Sequence, residues 1–142
     1  MPHLDQQKVL GAWKLAAAYT VSQTTGKHRA LYGDAPRGYL MFQPSGRMFA
    51  LLMSSNRQAS QTEAGRAALF QSLMSYSGKF TADGEKFVFS VEIAWDPTWE
   101  GTDQIRFYSL TPSNLSIRTA PIDHPLFAGE KVIGHLEWTR SE

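Results

Sequence analysis

The sequence lacks cysteine altogether and carries almost no excess charge. Its 142 residues include no Cys, which excludes disulfides, zinc–thiolate sites and cysteine catalysis and agrees with a reducing compartment. Lys and Arg number 14 and Asp and Glu number 13, so the formal net charge is +1. Such a balance attracts neither nucleic acid nor an anionic membrane, and we expect neither as a partner.

Long apolar runs and metal-binding spacings are also missing. No apolar run reaches the roughly 18 residues that cross a bilayer, and the first residues lack the basic and apolar regions of a signal peptide, so the expected location is the cytoplasm. The four histidines are scattered, without a His-x-His or His-Glu-x-x-His spacing, and predict no metal site. The glycines in GDAPRG and PSGR do not form a phosphate-binding loop between a strand and a helix, so no cofactor is expected.

What the sequence does contain is apolar and aromatic residues in alternation. Apolar residues make up 42% and aromatic residues 12% of the chain, which is enough for one globular domain over residues 1–142. Every second residue is apolar over residues 13–19 and again over residues 87–95, as in half-buried strands. Two further apolar runs flank a Pro-Ser-Gly turn at residues 44–46, and they predict a hairpin whose inner face holds Leu40, Phe42, Met48, Ala50 and Leu52.

Helical spacing occurs in one segment, residues 62–76, where Ala67, Phe70, Leu73 and Met74 fall on one face. The remaining pattern gives about eight short strands joined by turns, with this helix inserted after the third strand. An open sheet of that many strands exposes two edges, whereas closure into a barrel removes them. We therefore predict an all-β fold, a closed antiparallel up-and-down barrel of about eight strands.

Five segments, in the same order, resemble the short lipocalin-like domain family of bacteria and fungi. They are LGAWKL (10–15), APRGYLMFQPSGRM (35–48), YSGKF (76–80), AWDPTWEGTDQIRF (94–107) and LEWTR (136–140), so the similarity spans nearly the whole chain. The resemblance implies a small closed β-barrel with an apolar interior. It also implies that Trp13 packs at the closed end of the barrel and that Arg140 lies over its ring, as a cation–π pair worth about 1 kcal/mol.

One strand-like segment, residues 102–110, places an arginine in alternation with large side chains. If the TPSN turn at 111–114 pairs Leu110 with Leu115, then Leu110, Tyr108, Arg106 and Gln104 share the inner face. The opposite register puts Arg106 in water. Barrels of the fatty-acid-binding type place arginine and tyrosine inside to hold an anionic head group, an architectural analogy that favours the inward register.

An inward Arg106 needs a partner, because its guanidinium stays charged and an unpaired buried charge costs several kcal/mol. The candidates are an internal carboxylate such as Glu92 or Asp103, water, or the carboxylate, phenolate or enolate oxygen of a ligand. Simple alternation from Phe89 turns Glu92 outward, which weakens the internal option. A bulge near Trp95 would reverse that orientation.

The other candidate residues for a binding site are mainly apolar and aromatic. Alternation directs them to the barrel interior, where they either fill it or line a pocket of about 300 Å³ or more. Loops that carry Arg37 and Trp99 are expected at the rim of its open end. The predicted ligand-binding set is Tyr19, Leu40, Phe42, Met48, Phe89, Trp95, Gln104, Arg106 and Tyr108.

Three functions stay open. The first is binding of a small hydrophobic, anionic or oxygen-rich metabolite, with Arg106 and Tyr108 at its polar end. The second is a cofactor-free isomerase or cyclase that acts on a polyketide-like or aromatic substrate, with Arg106 or Tyr108 stabilising an enolate or phenolate. The third is a filled structural barrel. The protein is expected to be a monomer, or a homodimer through outer apolar residues such as Phe49 and Leu51.

Overall fold

A computed structural model describes residues 3–123 and 129–142 of the chain. The described residues form ten strands, two α-helices and one turn of 3-10 helix. In chain order these elements are α1 (Asp5–Lys8), β1 (Gly11–Ser22), β2 (His28–Ala30), β3 (Arg37–Phe42), β4 (Arg47–Met53), α2 (Glu63–Gln71), β5 (Leu73–Ala82), β6 (Lys86–Ala94), the 3-10 turn (Pro97–Trp99), β7 (Asp103–Leu110), β8 (Asn114–Arg118), β9 (Ile122–Asp123) and β10 (Lys131–Arg140).

Eight of the strands close into an antiparallel barrel. Their order is β1-β3-β4-β5-β6-β7-β8-β10, and β1 pairs with β10 to complete the circle. The short strand β2 extends the sheet beside the second half of β1, and β9 does the same beside β10. Helix α2 lies between the third and fourth barrel strands. The predicted closed up-and-down barrel with one inserted helix is therefore confirmed.

The hairpin of β3 and β4 has the inner face that alternation predicts. Leu40, Phe42, Met48, Ala50 and Leu52 are all buried, and their strands pair in register from Phe42 and Met48 onward. The hairpin holds its register because no bulge interrupts it. The same is true of β7, where Leu110 pairs with Leu115 across the TPSN turn.

Strand β1 departs from simple alternation because it contains a bulge. Its pairing with β10 shifts register between Leu15 and Ala17, so one extra residue is accommodated there. Before the shift Leu15 is buried, and after it Ala18 and Thr20 are buried. The prediction that Tyr19 faces the interior is wrong. Every residue after the bulge points to the opposite face from the one that unbroken alternation assigns.

Strand β6 also loses its alternation near the end. Its pairing with β5 shifts register between Val91 and Ile93, so Glu92 is the extra residue of a bulge. Ile93 is consequently 68% exposed, although alternation from Phe87 predicts it inside. The inward run of β6 stops at Val91, and the predicted inward position of Trp95 is wrong for this reason.

The inserted helix is shorter than its apolar spacing predicts. Thr62 caps α2 by accepting a hydrogen bond from the Gly65 backbone N–H at 3.0 Å, and the helix ends at Gln71. Leu73 and the residues after it pair with β4 as part of β5, so the predicted helix over residues 62–76 runs too far. No helix within the described ranges is long and apolar enough to cross a membrane.

Residues 22–37 and 120–130 are rich in turn-forming residues and predict loops, but each segment contains a short strand, β2 in the first and β9 in the second. Both strands pair with the outer ends of longer ones, β1 and β10, which is a tertiary effect that their own polar sequences do not show. The second predicted loop continues through residues 124–128, which lie outside the described residues.

The barrel is closed at the end where α1 lies. The Trp13 indole N–H donates to the Val9 carbonyl at 2.9 Å, and the Arg140 guanidinium lies 4.0 Å from the centre of the Trp13 ring. The same guanidinium donates to the carbonyls of Leu10 at 2.5 Å and Lys8 at 2.7 Å. The stacked pair that the family resemblance implies is therefore present, and it ties the last strand to the chain before the first.

Candidate functional site

The interior of the barrel is filled by aromatic rings toward its closed end. We call Phe42, Phe80, Phe87 and Tyr108 the aromatic plug. Ring centres lie 4.6 Å apart for Phe42 and Phe80, and 4.2 Å apart for Phe87 and Tyr108. Phe89 stacks on Phe87 at 5.1 Å and also lines the space beyond the plug. It therefore forms the boundary between a filled end and a hollow end.

The hollow end contains a cavity of about 290 Å³. Its wall is mostly apolar and includes Leu40, Leu52, Ile117, Leu136 and Trp138. Ile122 also lines the cavity and is 40% exposed, which marks the open end. The size and the apolar wall suit a small hydrophobic molecule.

Arg106 brings a positive charge into this apolar cavity from β7. Gln104 and Arg106 are half-buried and Tyr108 is buried, while Ile105 and Ser109 are exposed, so the predicted inward register is confirmed. The guanidinium donates to the Ile105 carbonyl at 2.9 Å and to the Gln104 side-chain oxygen at 3.1 Å. Burial lowers the pKa of Arg106, but a guanidinium remains protonated at any physiological pH.

No carboxylate neutralises Arg106. Among the described residues no Asp or Glu oxygen lies within 4.0 Å of it, and the residues outside the described ranges contain neither Asp nor Glu. Glu92 instead pairs with Arg47 at 2.8 Å, and Asp103 is exposed at the start of β7. The internal ion pair considered for Arg106 is therefore absent, and the hydrogen bonds that its guanidinium donates within the described residues go to neutral groups.

Tyr76 supplies a second polar group at the same cavity. It lies on β5, is 7% exposed, and its ring centre lies 5.4 Å from that of Trp99. Its hydroxyl makes no hydrogen bond to any residue that the structure describes. Burial raises the pKa of Tyr76 to about 12, against a smaller lowering by Arg106, so the phenol is protonated at neutral pH and can donate a hydrogen bond.

Tyr32 contributes a further wall from the loop between β2 and β3. Its backbone has a φ of 60°, in the left-handed region that bulky side chains seldom adopt. The ring packs against the core and lines the cavity, and burial raises the pKa of its hydroxyl. The packing of the ring holds this loop conformation in place.

Three of the predicted ligand-binding residues, Leu40, Phe89 and Arg106, line the cavity. Gln104 does not line it, but its side-chain oxygen accepts a hydrogen bond from Arg106. Phe42 belongs to the aromatic plug, and Met48 is buried in the same filled end. These last two positions point inward as predicted, yet they build the core rather than the cavity.

The other three predicted residues lie elsewhere. Tyr19 lies on the outer face, where its ring stacks between His28 at 5.2 Å and His135 at 4.9 Å. The Trp95 ring packs against Trp99 at 5.1 Å. In both cases a bulge earlier in the strand reverses the side-chain direction.

Tyr108 is inward, but its hydroxyl does not reach the cavity. The O–H donates to the Asp5 carboxylate at 2.6 Å, and the oxygen accepts the Gly84 backbone N–H at 2.7 Å. Burial and the hydrogen bond to Asp5 raise the pKa of Tyr108. The predicted role of Tyr108 as a ligand anchor or catalytic residue is therefore wrong, because its polar atom fastens α1 to the closed end.

The sequence analysis does not identify Tyr76, which brings a hydroxyl to the cavity where Tyr108 was expected to do so. Tyr76 stands where the predicted helix over residues 62–76 meets the strand-like segment YSGKF, and the structure places it within β5, opposite Ala50. The sequence signal for this residue is its place at the start of YSGKF (76–80), one of the segments that resemble the family. Trp99, expected at the rim, does line the cavity, and the Arg106 guanidinium lies 6.0 Å from its ring centre.

The described residues contain no group of three or more His, Cys, Asp or Glu placed to hold a metal ion. The closed eight-stranded barrel with a cavity at one end agrees with the comparison of the sequence with known families. The chain matches the model of the lipocalin-like domain family over residues 10–141, and it belongs to that family. A search of curated proteins found no match.

Proposed function

We propose that the protein binds a small hydrophobic molecule in the cavity, with an anionic or oxygen-rich end at Arg106. Membership of the lipocalin-like domain family and the hollow end of the barrel support ligand binding in general. The apolar wall would take the body of the ligand, and the guanidinium would take its polar end.

The observation that carries this proposal is the Arg106 guanidinium without a counter-charge. A charge taken out of water without an ionic partner destabilises a fold by several kcal/mol, whereas an apolar residue of similar size would fill the same place at little cost. The two neutral acceptors at Gln104 and Ile105 leave three of its five N–H donors available. An anionic ligand would supply the missing charge and use those donors.

A thermal-shift screen with fatty acids, aromatic carboxylic acids and polyketide-like phenols tests the proposal. Compounds that bind only the folded protein raise its Tm. Arg106→Met should weaken binding of the best compound at least about tenfold and should itself raise the Tm of the free protein. Arg47→Met, which removes an outer guanidinium paired with Glu92, is the matched control and should leave affinity unchanged. Equal affinity in the Arg106 variant, or no response to any class, contradicts the proposal.

A second candidate is a cofactor-free isomerase or cyclase in the same cavity. Arg106 and the protonated Tyr76 both line the cavity and would stabilise a developing enolate oxygen there, which supports this alternative. No Asp or Glu side chain of the described residues lines the cavity, so a carboxylate base for proton abstraction is lacking. Incubation of tight-binding compounds followed by mass spectrometry and chiral chromatography separates the two, because a pure binder returns each compound unchanged.

A further inference from the structure

We propose that the ligand is a compact hydrophobic monocarboxylate, and that Tyr76 is the second residue that positions its carboxylate. This inference rests on the proposed function and names the chemical class of its ligand. It concerns the part of the cavity formed by Tyr76, Trp99 and Arg106, which we call the polar corner. The three residues come from β5, the 3-10 turn and β7.

The polar corner brings one hydroxyl and one guanidinium to the same place. The Trp99 ring centre lies 5.4 Å from that of Tyr76 and 6.0 Å from the Arg106 guanidinium carbon, so Trp99 packs beside both. All three residues line the one cavity of about 290 Å³. The Arg106 charge also acts on the Tyr76 hydroxyl, since burial raises the pKa of Tyr76 and Arg106 lowers it, so one ligand group would interact with both.

The Tyr76 hydroxyl is suited to donate a hydrogen bond to a ligand rather than to accept one. Its hydroxyl has no acceptor among the described residues, so the O–H is left to water in the cavity or to an oxygen of a ligand. At neutral pH the phenol is protonated, since its pKa is raised to about 12 by burial. An oxygen of the ligand would satisfy this donor.

The charge at the polar corner selects a monoanion. A neutral alcohol or amide would leave the Arg106 charge uncompensated, and a phosphate dianion would leave an excess negative charge against an apolar wall. Arg118 also lines the cavity, but its guanidinium lies over the Phe107 ring, 5.6 Å from the ring centre, and Phe107 is on the opposite face of β7 from Arg106. A single negative charge therefore matches a single positive one.

The geometry of the donors favours a carboxylate among monoanions. A carboxylate has two coplanar oxygens, so one can accept from the planar guanidinium while the other accepts from the phenol. A phenolate offers one oxygen to both donors. The body of the ligand must be compact because Phe89, stacked on Phe87 at 5.1 Å, closes the floor of the cavity against the aromatic plug.

Naphthalene probes that differ only in the polar group test this inference by isothermal titration calorimetry. They are 2-naphthoate, 2-naphthol and 2-naphthamide, with the purified full chain at pH 7. We expect 2-naphthoate to bind the wild type at least about tenfold more tightly than the other two, because only it supplies both charge and two oxygens. Quenching of the fluorescence of Trp99 and Trp138, which line the cavity, gives an independent readout.

The role of Tyr76 is tested with Tyr76→Phe, which removes only the hydroxyl. We expect it to weaken 2-naphthoate about tenfold and 2-naphthamide much less, so that discrimination between them falls. Tyr39→Phe makes the same change at an exposed tyrosine on the outer face and should alter neither affinity. Thermal unfolding of each variant checks that it is folded, and the wild-type probe series decides the ligand class whether or not Tyr76→Phe folds.

The outcomes separate this inference from the proposed function. Equal binding of the three probes, tighter binding of 2-naphthol, or an unchanged preference in Tyr76→Phe overturns the inference and leaves hydrophobic ligand binding in place. Failure of all three probes, together with silence in the broader thermal-shift screen, overturns both.

Discussion

The two ends of the barrel use the same residue types for different purposes. At the filled end Arg140 covers Trp13 and donates to two backbone carbonyls, and the Tyr108 hydroxyl bonds to Asp5 and Gly84. At the hollow end Arg106 has no ionic partner and the Tyr76 hydroxyl makes no hydrogen bond within the described residues. Residue type alone therefore does not separate the side chains that hold the fold together from those that are available to a ligand. The two groups differ in whether their polar atoms have partners within the protein.

The largest expected effect on stability comes from truncating two side chains of one strand, one at the filled end of the barrel and one at the hollow end. Met48 and Leu52 lie on the inner face of β4 and are each 1% exposed, but only Leu52 lines the cavity. Met48→Ala should destabilise by about 4 kcal/mol, because it leaves a new void in a filled core, and Leu52→Ala by about 2 kcal/mol, because it enlarges a space already open to solvent. Urea unfolding of both variants measures the difference.

Equal losses of unfolding free energy in the two variants would mean that Leu52 is packed as tightly at the hollow end as Met48 is at the filled end. In that case the contrast between the two ends would not extend to their packing energy. The m-values of both variants should match the wild type, which shows that the unfolded states are comparable.

A smaller effect is expected from Tyr108→Phe, which leaves the Asp5 carboxylate and the Gly84 N–H without their shared partner. We expect a loss of about 1–3 kcal/mol in the free energy of unfolding, with affinity for 2-naphthoate unchanged. Tyr76→Phe should show the reverse, a loss of affinity with little change in stability. A change of affinity in Tyr108→Phe would contradict the division of roles between these tyrosines.

The smallest effect concerns pH and the turn between β5 and β6, near the closed end. Backbone N–H groups of Lys86 at 2.8 Å and Glu85 at 2.9 Å bond to the Asp83 carboxylate and lower its pKa from 3.8 to about 2. A lowered pKa stabilises the fold above about pH 4, and this contribution is lost as the pH falls toward about 2.

Asp83→Asn removes this titration. The Tm advantage of the wild type over the variant should therefore be constant above about pH 4 and shrink toward pH 2, which differential scanning fluorimetry measures. The same substitution should leave probe binding unaltered. A Tm difference that is independent of pH would show that the turn does not depend on the charge of Asp83.

Alternation and turn chemistry predicted the barrel and the direction of Arg106, because β3, β4 and β7 contain no bulge. They misplaced Tyr19 and Trp95, since one extra residue in β1 and one in β6 reverse the faces that follow. Tyr76 was missed for a different reason. The helix-like spacing of apolar residues in the α2 segment continues into β5, where pairing with β4 determines the structure instead. Hydroxyl partners such as Asp5 for Tyr108 depend on contacts distant in the sequence, which a local pattern does not contain.

The bulge in β1 also determines which of its side chains faces the cavity. By advancing the chain one residue, it sends the bulky Tyr19 outward and places the smaller Thr20 at the wall of the cavity. Unbroken pairing of the same sequence, with no bulge at Ala16, would exchange these two side chains and put an aromatic ring into the hollow end. The space left for a ligand beside the first strand therefore depends on the bulge that accommodates Ala16, and not on the alternation of apolar residues in that strand.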